Sequence, residues 1–140
     1  MVEGFVLVDA EVGWTHGGSG WWIVRLEYDL EPEYTRRLTV TLQNGRDGPI
    51  ANVSISGVTS FRVQDEREMH DFAVRLRREG VASGMFYTVT KSGYLSDFGG
   101  GVSAAANPQT HYIVVAEDDC LEFIGPAWAS DFQIEITCAA

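Results

Sequence analysis

Apolar and polar residues alternate with a period of two along much of this chain, the pattern of strands buried on one face. Between Trp21 and Leu30 the alternation places Trp22, Val24, Leu26, Tyr28 and Leu30 on one side. Arg25, Glu27 and Asp29 fall on the other. Leu38, Val40 and Leu42 alternate with Thr39 and Thr41, and Val53 and Ile55 with Asn52, Ser54 and Ser56. Near the end, Phe132, Ile134 and Ile136 alternate with Asp131, Gln133, Glu135 and Thr137. Shorter apolar runs predict strands at Phe5–Val8, Val58–Val63, Met85–Val89, Tyr112–Ala116 and Leu121–Ile124. One-sided burial belongs to antiparallel sheets. Asn44-Gly45 marks one turn, and Asp118-Asp119 closes a hairpin between Ile113-Val114-Val115 and Leu121-Glu122-Phe123.

One segment has a different period. Met69, Phe72, Ala73 and Leu76 make a single helical stripe between Asp65 and Glu79. Asp65 is a natural N-cap with Glu68 as its capping-box partner, and Arg75, Arg77 and Arg78 suit the far end of the dipole. Gly80 can take the left-handed stop. The expectation is a mainly β (α+β) protein with one amphipathic helix over 65–79. Its strands, about eight to nine, form an antiparallel sheet or β-sandwich. The whole of 1–140 reads as a single globular domain.

Charge then narrows the function. Twenty acidic residues against ten basic ones give a net charge of -10, which repels phosphate and argues against nucleic acid as a partner. The imbalance is concentrated. From Ser92 to Ala140 there are carboxylates at Asp97, Glu117, Asp118, Asp119, Glu122, Asp131 and Glu135, and no lysine or arginine. Such a face serves solubility or meets a cationic partner. No stretch approaches the roughly 20 apolar residues of a membrane helix. Met1-Val-Glu-Gly lacks a basic n-region, so a cytoplasmic protein is expected.

Catalytic and cofactor signatures are weak. His16, His70 and His111 have no metal-ligand spacing, and Cys120 and Cys138 are too few for a zinc site, so neither a metal nor a cofactor is expected. His111 can be imagined as an acid–base pair with Glu117 or Asp118 across its hairpin, although a histidine at a strand edge is ordinarily solvated. Lys91-Ser92-Gly93 matches the K-[ST]-G element of penicillin-recognising enzymes, but without its companions it reads as chance. A non-enzymatic protein is the expectation.

Two surfaces could bind. The first is the acidic hairpin, with Glu117, Asp118, Asp119 and Glu122 joined by Tyr94 and Asp97 from the preceding strand and long loop. It would steer a basic protein electrostatically. The second is the glycine-rich loop 17–20, where Trp14 and Trp21 could stack a sugar or another small ligand while Trp22 is buried. A third class is a structural protein that forms homodimers through an exposed strand edge.

The segments Val53-Ser-Ile-Ser-Gly-Val-Thr-Ser-Phe-Arg-Val and His111-Tyr-Ile-Val-Val-Ala-Glu-Asp-Asp-Cys-Leu-Glu-Phe resemble strands of small bacterial proteins. Some of those are immunity proteins that accompany polymorphic or contact-dependent toxins. The resemblance implies a protein that binds one cognate toxin tightly and occludes its active site, and it carries over no functional residue.

Overall fold

The computed structural model describes residues 4–17, 20–30, 36–65, 84–90, 92–98, 109–117, 119–126 and 132–137. In chain order these form β1 (Gly4–Leu7), α1 (Asp9–Val12), β2 (Trp21–Asp29), β3 (Arg37–Asn44), β4 (Ile50–Ile55) and β5 (Ser60–Asp65). There follow β6 (Phe86–Thr90), α2 (Gly93–Phe98), β7 (Gln109–Val115), β8 (Asp119–Pro126) and β9 (Phe132–Thr137). Each strand stands where the alternation or an apolar run places it. The helix expected over 65–79 lies outside the described residues, apart from Asp65, which ends β5. Among the described residues no helix is long and apolar enough to cross a membrane.

The strands make two antiparallel sheets, ordered β1-β6-β7-β8-β5 and β2-β3-β4-β9. The β3–β4 hairpin turns at Asn44-Gly45 as expected, with Gly45 at φ 72°, a left-handed conformation that suits glycine. The sheets face each other across one apolar core. Leu38, Val40, Leu42, Val53 and Ile55 come from the four-stranded sheet, and Phe86, Tyr112, Val114, Leu121 and Phe123 from the five-stranded one. Phe132 joins them, with its ring 5.1 Å from Tyr112, 5.9 Å from Phe123 and 6.0 Å from Phe86.

The two sheets differ on their far faces. In the five-stranded sheet that face is buried too: Tyr87, Val89 and Ile113 form a second apolar cluster with Phe5 and Val115 against it. Burial on both sides explains why β7 and β8 read as continuous apolar runs. The far face of the four-stranded sheet carries Thr39, Thr41, Asn52, Ser54, Gln133 and Glu135, all at least partly exposed.

β2 departs from simple alternation. Its register with β3 runs Ile23↔Leu42 and then Arg25↔Thr41, so Val24 has no counterpart. This β-bulge reverses the phase on its two sides. Leu26 and Tyr28 pack toward the core as expected, but beyond the bulge Trp21 and Ile23 do so instead of Trp22 and Val24.

Candidate functional site

The six residues expected to form an acidic partner surface do not share one. Glu117 is exposed, but it clamps the β7–β8 turn to the other sheet. Its Oε1 accepts from the Gly20 backbone N–H at 2.6 Å, and its own N–H donates to the Trp21 carbonyl at 2.8 Å. Asp119 opens β8 half-buried, opposite Asp65 on β5. Asp118 lies outside the described residues. Tyr94 and Asp97 belong to α2 rather than to a strand and a loop, and Tyr94 is buried. Glu122 is only 3% exposed, so it is not part of a solvated hairpin rim.

Glu122 instead sits at the centre of a polar cluster on the far face of the five-stranded sheet. The β5–β8 register sets Arg62 opposite Glu122, and Arg62 binds the carboxylate through two nitrogens, at 2.7 and 3.1 Å. Such forked pairing is among the stronger polar contacts. From β7, His111 Nε2 reaches Glu122 Oε1 at 2.9 Å, and His111 Nδ1 reaches Ser92 Oγ at 2.6 Å. His111 is therefore buried and paired with Glu122 rather than solvated, while Glu117 turns to Gly20. Ser92 also caps α2, its Oγ accepting from the Leu95 N–H at 2.9 Å. All these atoms are satisfied when the Ser92 hydroxyl donates to Nδ1 and the ring hydrogen on Nε2 points at the carboxylate.

Tyr94 closes the cluster. Its ring meets the His111 ring edge-on at 5.0 Å, the Arg62 guanidinium lies 4.1 Å from its centroid, and its hydroxyl bonds Ser60 Oγ at 2.6 Å. Burial alone would raise the pKa of Glu122, but the hydrogen bonds from His111 and Arg62 and the guanidinium charge outweigh it and hold the carboxyl below its usual range. Ser92, His111 and Glu122 thus stand in the order nucleophile, base and acid. With Ser92 at 6% exposure and His111 at 2%, the series presents almost no atom to a substrate. What it does is fasten α2 to β5, β7 and β8. In the sequence Ser92 stands out only through the chance K-[ST]-G match, and Arg62 carries no site signal at all.

The tryptophans are also redistributed. Trp14 and Trp21 are 2% and 1% exposed and pack edge-to-face at 5.0 Å, so neither can stack a ligand. Their indole N–H groups donate to the carbonyls of Gly17 and His16 at 2.7 and 3.4 Å, pinning the loop that precedes β2. Trp22 is 40% exposed and is the one exposed large aromatic among the described residues. It projects on the open face of the four-stranded sheet, opposite Gln43 in register. On the same face Thr41 donates to Asn52 at 2.8 Å, Thr39 and Ser54 bond at 3.2 Å, and Arg25 pairs with Glu27. The face is mixed polar and charged, with carboxylates at Glu27, Asp29 and Glu135 and arginines at Arg25 and Arg37. Among the described residues no group of His, Cys, Asp or Glu is placed to hold a metal ion.

No family model, curated protein or solved structure matches the chain.

Proposed function

We propose that the protein is a non-enzymatic binding module for a basic protein partner, as an immunity-type inhibitor would be, and that it engages the partner with the open face of the four-stranded sheet. One observation carries this reading. The single exposed aromatic of the described residues stands on a sheet face whose described side chains are all at least partly exposed. Aromatic residues are the usual energetic anchors of protein interfaces. Glu27, Asp29 and Glu135 elsewhere on the face, within a chain of net charge -10, would speed encounter with a cationic surface and disfavour an anionic one.

The test is a pull-down from lysate of the source organism, eluted with a salt gradient, using the parent chain, Trp22→Ala and Glu135→Lys. One basic protein should be captured at stoichiometric yield, released earlier from Glu135→Lys and lost from Trp22→Ala, while both variants melt with the parent. Capture that ignores both substitutions removes this face from consideration.

A second reading rests on the same face. Hydroxyl and amide side chains at Thr39, Thr41, Asn52, Ser54 and Gln133 beside one exposed indole would also suit a saccharide. An oligosaccharide stacked on Trp22 would shift the tryptophan emission of the parent but not that of Trp22→Ala.

A further inference from the structure

β2 is nine residues long and forms one margin of its sheet, and no described strand pairs with its outer edge. Proteins usually blunt such an edge with proline, shortness or charge. β2 is long and has no proline; its bulge leaves Val24 exposed, and its charges, Arg25, Glu27 and Asp29, carry both signs and so permit pairing with a complementary edge. The neighbouring margin of the other sheet runs beside it. At one end of β2, Tyr28 packs on Phe61 with ring centroids 5.0 Å apart and donates to the Val58 carbonyl. At the other end, Trp21 is bonded to the turn that leads into Asp119, the register partner of Asp65. β5 therefore passes β2 in the opposite direction, and Val63, 45% exposed, stands near its middle. The result is an apolar strip along one side of the sandwich, next to an edge able to accept a strand.

The charges of β2 select the occupant. Arg25 and Glu27 flank Leu26 symmetrically, and both point to the open face. We propose that β2 pairs antiparallel with β2 of a second copy about a two-fold axis at Leu26, merging two four-stranded sheets into one of eight. In that register each Arg25 stands opposite Glu27 of the other copy, so two cross-strand ion pairs form. Moving the axis to position 25 would set Arg25 against Arg25, and moving it to position 27 would set Glu27 against Glu27. Like charges directly opposite one another disfavour both alternatives. The isologous pairing also gathers Val24 and Val63 of both copies along one seam.

The test uses sedimentation equilibrium on the full chain, on Arg25→Glu, on Glu27→Arg and on their equimolar mixture. The parent should sediment as a dimer. Each single reversal places like charges opposite twice and should weaken self-association by about ten-fold or more. The mixture should recover the dimer, because every carboxylate again faces a guanidinium in the heterodimer. Circular dichroism and melting should match the parent throughout, which excludes misfolding as the cause. A parent that stays monomeric at about 100 µM, reversals that dimerise as the parent does, or a mixture that fails to recover would each overturn the proposal. The outcome is independent of whether Trp22 binds a partner.

Discussion

Glu122 shows how a residue's neighbours overturn its sequence context. In the chain it stands close to Glu117, Asp118 and Asp119 and reads as one more rim carboxylate. In the fold it is buried with Arg62 and His111. Replacing it by Gln would turn an amide N–H toward donors. Solvent screens part of the pair because Arg62 is half-exposed. Glu122→Gln should therefore cost about 2–3 kcal/mol at neutral pH, measured by urea unfolding. The pH dependence has a definite sign. The folded carboxyl ionises at lower pH than the usual value of 4.5, so its stabilisation is complete above that value and is lost as pH falls through the folded pKa. Acid unfolding of Glu122→Gln should be correspondingly less steep below about pH 4.5. An unchanged acid limb would show that the carboxylate does not carry this linkage. Nothing in the one-dimensional pattern could reveal the cluster, since it joins β5, α2, β7 and β8 across separations of up to 60 residues.

At the scale of elements, strands were legible and faces were not always so. The period-two signal is local, and every strand it marked is present. The phase of β2 was not legible, because Trp21, Ile23, Leu26 and Tyr28 make as good an apolar face as Trp22, Val24, Leu26 and Tyr28 once one residue is allowed to bulge. The choice is made by the register with β3, which local sequence does not contain. α1 and α2 escaped notice because helices of four and six residues are too short to show a stripe. β9 illustrates an element whose weight exceeds its length. Through Phe132 it reaches Phe86, Tyr112 and Phe123 of the opposite sheet. Phe132→Ala should cost about 3–5 kcal/mol, read from the denaturant midpoint with the slope unchanged. A loss under about 1 kcal/mol would mean that the neighbouring rings close the gap.

For the whole molecule, the acidity seen in the sequence matters as total charge, and Glu122 shows that not every carboxylate adds to the solvated rim. Ten surplus negative charges act on the two proposed contacts in opposite ways. Raising ionic strength from about 20 to about 200 mM should weaken binding of a basic partner, because it screens attraction. The same change should strengthen self-association, because it screens the long-range repulsion between two copies of charge -10 more than the short-range Arg25–Glu27 contacts. Titrations of each at both salt concentrations would check the pair of signs, and two shifts in the same direction would contradict this account. The position of β9 has a further consequence, for the order of events on the ribosome. β2, β3 and β4 can zip up as hairpins as soon as they emerge, but the free side of β4 gains its neighbour only when residues 132–137 arrive. Until then the outer edge of β4 stays unpaired, and Phe132 is missing from the rings of Phe86, Tyr112 and Phe123. Completion of the four-stranded sheet should therefore wait on the delivery of β9, long after β4 itself has emerged.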